Sequence, residues 1–287
     1  MFAISAKKAR VSQIEYTMID YKQVRYWVDD LPKRGRTTFS VKEAEDQFPF
    51  KPASSVRRAL ARLSDAGKIH SVWKGFYAIS LPEYGLEGIA PPSDYIDQLM
   101  DHLDSKYYVA LLTAASYRGA AHQAPQSFFV ICEKNLHVKK GNEVKLELVF
   151  KKKISENYIS VVNSRTASIK VSTPELTAID LVTYMKRVGG INNVATVLAE
   201  LTESMDFEKV EDDFFEGAPV ASIQRLGFVL DDVLGERRVA ESLYIKAKQS
   251  GMRFKTIPLI NSKNNLESTK KNARWGVDVN YEVESDL

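Results

Sequence analysis

Arg57, Arg58 and Arg62 lie close together in the run SSVRRALARL. A guanidinium group is permanently charged and forked, which suits it to phosphate oxygens and to the edge of guanine. Val56, Leu60 and Leu63 recur at i, i+4 and i+7 with Ala59 and Ala66 beside them, so the run predicts an amphipathic helix. The three arginines fall off that apolar stripe, with Arg58 and Arg62 one turn apart. No Asp or Glu occurs between Pro49 and Ser64, so the wet face carries one sign of charge. With Lys51, Ser54 and Ser55 at its start, such a face suits contacts to a nucleic-acid backbone and to base edges. A solvated basic helix would have the same composition, so the flanking elements have to decide.

Those elements predict a compact DNA-reading module over residues 39–80. Ser40 caps a short helix, with Glu43 three residues on in capping-box spacing. Phe48-Pro49 and Lys51-Pro52 break it, because the residue before a proline is pushed out of the α region. Ser54 or Ser55 then caps the arginine helix, which ends at Gly67, a residue suited to the left-handed position after a helix. Runs at 68–73 and 76–80 read as strands, joined by a hairpin at Lys74-Gly75. Apolar residues from 14 to 31 recur with helical spacing and stop at Pro32. Helix, helix, turn, helix, hairpin is the order of a winged helix-turn-helix. Lys74 would stand at its wing. The loop Lys33-Arg34-Gly35-Arg36 and a basic arm at 1–13 flank it, the loop reading equally as a phosphate contact or a solubilising turn.

A length of 287 residues predicts two domains. Hydrophobic content of 44 % and charged content of 27 % are those of a globular chain. No apolar run approaches a membrane span and the first residues lack a secretory apolar core, which predicts a cytoplasmic protein. A single cysteine, Cys132, rules out an intrachain disulfide, and the four histidines are scattered, so no metal site is expected. The net charge of +3 is uneven: residues 1–85 hold 15 Lys and Arg against 9 Asp and Glu, the remainder 25 against 28. A basic front unit on a mildly acidic body agrees with phosphate attraction at the front.

Residues 81–93 are punctuated by proline and glycine, marking a boundary between a winged-helix domain at 1–85 and a larger mixed α/β domain at 86–287, an α+β chain overall. In the second domain a helix is expected from Ser93 or Asp94 to 103, a buried helix over 107–117, and strands at 127–132, 143–150, 158–162 and 168–172. The strand at 143–150 alternates, with Val144, Leu146, Leu148 and Phe150 on one side and Glu143, Lys145 and Glu147 on the other. Lys151-Lys152-Lys153 at its end reads as a solvated turn, with a DNA contact as the functional option. Thr173 caps a helix with Pro174 at its first position, and Gly189-Gly190 closes that region. Helices follow at 192–201, 207–215, 222–234 and 237–250, then strand-like runs at 255–260 and 275–283.

No catalytic constellation emerges. Gly189-Gly190 lacks the lysine and spacing of a phosphate loop. Cys132 sits in an apolar strand and reads as an inert thiol. His122, in Ala121-His122-Gln123-Ala124-Pro125, is the histidine best placed for a functional loop, with a structural role the stronger reading. Asp212-Asp213 and Asp231-Asp232 are neighbours on helices, where adjacent side chains diverge. Glu147 among lysines has a faint likeness to restriction-type nucleases, but the upstream Asp needed to share a magnesium ion is missing from any obvious position. No cofactor is expected.

Several stretches together resemble the AbiEi family of bacterial type IV toxin–antitoxin antitoxins: SSVRRALARL and KGFYAI, then YYVALLTAASYRGAAHQAPQSFFVI, STPELTAIDLVTYMKRVGGINNVATVLAEL, ASIQRLGFVLD and NARWGVDVNYEVESDL. The resemblance implies an N-terminal winged helix that represses its own operon at promoter repeats. It also implies a C-terminal domain that counters a nucleotidyltransferase-like toxin without a stable complex, in some members as abortive infection against phage. Carried over to matching positions, DNA contacts fall on Ser54, Ser55, Arg57, Arg58, Arg62 and Lys74, with Lys51 added from the residues themselves. No catalytic residue is implied. Two other readings remain open: a nuclease-like enzyme delivered to DNA by the winged helix, and a one-component regulator sensing a small molecule in its second domain.

Overall fold

The computed structural model of the chain describes residues 22–84, 88, 90–120, 125–136, 146–163, 168–261 and 270–284. The basic arm at 1–13, the opening of the first helix, His122 and the Glu143–Lys145 half of the alternating strand lie outside them.

The first unit runs α1 (Val24–Asp30), β1 (Thr38–Ser40), α2 (Val41–Gln47), α3 (Ala53–Asp65), β2 (Ile69–Trp73) and β3 (Phe76–Ile79). Ser40 Oγ accepts from the Glu43 amide at 3.1 Å and the Glu43 carboxylate accepts from the Ser40 amide at 2.7 Å, completing the expected capping box. The arginine helix departs from expectation at its start: Pro52, not a serine, holds the cap position. Its carbonyl already accepts from the Ser55 amide at 2.8 Å, which draws Ser54 and Ser55 into the first turn. At the other end Gly67 takes φ 65° and the Lys68 amide returns to the Leu63 carbonyl at 2.9 Å, the glycine closure the sequence predicts. Strand β1, which no local pattern marks, pairs antiparallel with β3 and makes a three-stranded sheet in the order β1-β3-β2. Val24, Trp27, Val28, Phe39, Val56, Leu60, Leu63 and Ile79 fill a core under these elements.

The second part opens with α4 (Ile96–His102), β4 (Tyr107–Val109), α5 (Leu111–Tyr117), β5 (Phe128–Cys132), β6 (Leu146–Phe150), β7 (Ile159–Asn163) and β8 (Ser168–Ser172). These strands form a five-stranded mixed sheet in the order β6-β5-β4-β8-β7. The apolar run expected as one buried helix is therefore a strand followed by a helix. Tyr107, Tyr108 and Val109 are buried on both faces of the sheet's central strand, so their continuous apolarity hides the period of two. The chain turns from strand to helix at Leu111, which takes φ 53°. The alternation expected in β6 is also imperfect. Leu146 and Val149 are buried, Leu148 only partly, and Phe150 is half exposed, because the sheet has an apolar layer on each face.

On one face Tyr108, Phe129, Ile131 and Val149 meet a helical layer. It is built from α6 (Pro174–Thr183), α7 (Ile191–Leu201), α8 (Asp212–Glu216), α9 (Val220–Phe228) and α10 (Arg237–Gln249). Thr173 caps α6 and Pro174 occupies its first turn, as expected. A small sheet of β9 (Ile257–Pro258), β10 (Lys270–Asn272) and β11 (Val277–Val279) fastens the tail to this layer. Its anchor is Trp275, fully buried against Gly227, where an added Cβ would come within 2.1 Å of the indole. On the other sheet face Tyr107, Val109, Val130 and Cys132 meet α4. Val72, Phe76 and Ala78 of the β2–β3 hairpin share that core, and the Phe76 and His102 rings lie 5.1 Å apart. The hairpin is thus docked on the body of the protein. Among the described residues no helix is long and apolar enough to cross a membrane.

Candidate functional site

The exposed face of α3 carries Ser54, Arg57, Arg58 and Arg62, while Ser55 is half-buried. Val56, Leu60 and Leu63 turn inward on the opposite face, so the 3.6-residue period separates the arginines from the core. The arginines are not equivalent. Arg57 Nε donates to Glu45 of α2 at 2.7 Å, so the acid missing from the helix itself is supplied by its neighbour. Arg58 Nε lies along the helix and donates to the Ser54 carbonyl at 3.3 Å. Arg62 has no side-chain partner among the described residues. Lys51 Nζ donates to the Lys22 carbonyl at 2.8 Å and stands 5.2 Å from the centre of the Phe48 ring, tying the turn to the chain that enters α1. Lys74 is exposed at the hairpin turn, with Gly75 at φ 77° beside it.

Two features here escape sequence reasoning. Phe50, in the turn before α3, is 99 % exposed between two prolines. Secondly, the cations of the loop at 33–36 have local partners: Lys33 and Arg34 share Asp30 at 3.7 and 2.8 Å, and Arg36 pairs with Glu43 at 2.5 Å. Of the two readings of that loop, the structure favours the turn that serves its own fold.

A second concave site lies in the helical layer. A cavity of about 260 Å³ opens between the loop after β6, α6 and residues 217–219. On its wall the Tyr108 hydroxyl donates to Asp180 at 2.7 Å, and Lys151 Nζ donates to Asp180 at 3.3 Å and to the Tyr108 oxygen at 3.1 Å. Burial pushes the Asp180 carboxyl above its usual value against the pull of Lys151 and the Tyr108 hydrogen bond. Burial likewise pushes the Tyr108 phenol well up. Lys152 and Lys153 also line the cavity, so the lysine run is more than the solvated turn its composition suggests. No local signal could have revealed this, because Lys151 and Asp180 meet only through the sheet and α6.

The remaining candidates have structural partners. Cys132 is buried, with burial raising its thiol pKa, and its Sγ donates to the Lys134 carbonyl at 3.2 Å. Glu147 is exposed on β6, with Arg187 at 3.9 Å. Asp231 accepts from the Trp275 indole at 3.0 Å, whereas Asp232 accepts from Asn272 at 2.9 Å, so the adjacent acids hold different parts of the tail. Asp213 accepts from Tyr158 and from Asn157 at 2.8 Å. Among the described residues no group of three or more His, Cys, Asp or Glu could hold a metal ion.

The fold and these sites describe an α+β protein with a basic helical front packed onto a sheet-and-helix body. Residues 108–232 match the family model of the AbiEi antitoxin C-terminal domain. The match agrees with the resemblance over these residues and supports an antitoxin role. The chain is also similar in fold to the RV2827C protein from Mycobacterium tuberculosis, known from its crystal structure. The TM-score is 0.62 and the identity 12 %, over 88 % of this chain and 90 % of that one. No curated protein matches the sequence.

Proposed function

We propose that this chain is an antitoxin and also the DNA-binding repressor of its own operon. In this reading residues 1–85 form a winged helix-turn-helix and residues 86–287 the antitoxin domain, acting in the cytoplasm. Helix α3 enters the major groove of promoter repeats, presenting Arg57, Arg58 and Arg62 to phosphates and base edges. Ser54, Ser55 and the amides of the first turn bind backbone phosphate, as helix starts do. Lys51 and Lys74 add phosphate contacts from the turn and the wing. The observation that carries this reading is the one-sided face of α3, with Arg58 and Arg62 exposed and unopposed by acid. The partner toxin is a nucleotidyltransferase-like enzyme, countered without a stable complex as in type IV systems, and defence against phage is the setting. The chain itself is read as a non-enzyme.

The test is a pair of assays on the full-length chain in cells. Removing residues 1–85 would strip Phe76 and Val72 from a core shared with the body, so point variants are the sounder choice. Arg58→Ala with Arg62→Ala should derepress a promoter reporter while still rescuing cells from the toxin encoded alongside. Repression at the wild-type level by this double variant would refute the assignment of α3.

A further inference from the structure

We propose that the cavity walled by Tyr108, Lys151 and Asp180 is a binding site for a nucleotide: a planar base with an attached phosphate. The inference does not rest on the DNA reading. Its residues run from Tyr108 to Pro219, within the matched antitoxin domain and apart from α3.

Three observations point to this ligand class. First, the acids of the cavity are already occupied. Asp180 accepts from Tyr108 and Lys151, and Asp213 from Tyr158, Asn157 and Ser155. Lys152 and Lys153, by contrast, are exposed and have no partner among the described residues. A ligand entering the cavity therefore meets uncompensated positive charge, which selects an anion. Three consecutive lysines line one cavity because the backbone leaves the strand after Phe150; in a continuing strand alternate side chains would point to opposite faces. Secondly, Phe150 stands 48 % exposed at the lining, with Tyr184 and Phe214 also present. The exposed Phe150 ring beside ammonium groups suits the base and phosphate of a nucleotide together, whereas a bare inorganic anion would use only the lysines. Thirdly, the wall holds an ion pair whose acid is buried. Asp180 is 1 % exposed while the Lys151 side chain keeps 20 %, and taking a carboxylate out of water is a poor route to stability compared with apolar packing. A few convergent polar groups set into an apolar hollow are the usual make-up of a small-molecule site. Lys151 Nζ has three hydrogens and makes two hydrogen bonds to the wall, leaving one to reach a phosphate oxygen.

Calorimetric titration of the full-length protein tests this, using AMP, ATP, UMP, UTP, adenosine and sodium pyrophosphate as separate probes. The expected result is saturable binding of at least one nucleotide at one site per chain. Adenosine and pyrophosphate should each bind at least tenfold more weakly. Lys152→Ala with Lys153→Ala should weaken the nucleotide at least tenfold. Phe150→Ala should weaken the nucleotide while leaving any pyrophosphate binding unchanged. All three side chains are exposed, so an unaltered melting temperature establishes that these variants are folded. Absence of saturable binding by every nucleotide, affinity unchanged in the lysine variant, or pyrophosphate binding as tightly as the nucleotides would each overturn the proposal. Nucleotide affinity should survive Arg58→Ala with Arg62→Ala, which separates this site from the DNA face.

Discussion

Arg57 of α3 and Glu45 of α2 are joined by a 2.7 Å ion pair across the turn between the two helices. The pair places a carboxylate beside the face proposed to meet DNA. The Arg57 side chain is 66 % exposed, so the pair contributes little to stability, about 0–1 kcal/mol on the scale of surface ion pairs. Glu45→Ala is expected to leave the denaturation midpoint almost unchanged. It should tighten binding to promoter DNA by removing a like charge from the phosphates and freeing the guanidinium. Fluorescence anisotropy at several salt concentrations measures this; weaker binding by the variant would mean that Glu45 holds Arg57 in its working position.

Phe76 ties the hairpin to the body through α4 and the His102 ring. Phe76→Ala should cost about 3–5 kcal/mol, as large-to-small changes of buried aromatic residues do. Urea denaturation followed by far-UV circular dichroism gives the value. A loss below about 1 kcal/mol would show that this core does not hold the hairpin, since surface changes fall in that range.

Phe50 presents the opposite case. Being 99 % exposed, it contributes no core packing, and Phe50→Ala should alter stability by no more than about 0.5 kcal/mol. Its place in the turn before α3 gives it access to thymine methyl groups or to unstacked bases. Affinity for the operator should fall while affinity for random duplex changes much less. Competition binding with the two duplexes distinguishes this from a general loss of folding.

The features legible in the sequence were those fixed by neighbours along the chain. Ser40 with Glu43, the Leu60 stripe with its arginines, Gly67 and the Thr173-Pro174 start all act over a turn or less, and each appears as expected. What escaped was decided at long range. Tyr107–Val109 pairs on both sides in the sheet, so its apolar run could not be told from a buried helix. Thr38–Ser40 becomes a strand because β3 comes back alongside it. The cap of α3 shifted because Pro52, by its fixed φ, began the helix ahead of the serines. The Tyr108–Asp180 contact joins residues 72 positions apart, and nothing local marks either as part of a cavity.

The capping box also predicts a pH effect. Burial raises the pKa of Glu43, but the Ser40 amide and the Arg36 guanidinium outweigh it and hold the carboxyl below its usual value. A depressed carboxyl contributes stability that is present above the unfolded-state pKa and is lost as pH falls through the folded one. The stability advantage of wild type over Glu43→Gln should therefore be full at neutral pH and shrink below the ordinary glutamate range. Thermal melts of both proteins from pH 7 down to pH 3 check this. An advantage that stays constant throughout would contradict the assigned ion pair and cap.

The central claim, that α3 reads DNA, is tested most directly by anisotropy titration of the full-length protein with a duplex from its own promoter. Wild type should bind with an affinity that falls steeply as salt rises, through release of phosphate counterions. Arg58→Ala with Arg62→Ala should lower affinity by about 2–6 kcal/mol if both arginines make specific base contacts, with a shallower salt slope and an unchanged melting temperature. Equal affinity and equal salt slope in wild type and variant would contradict the account.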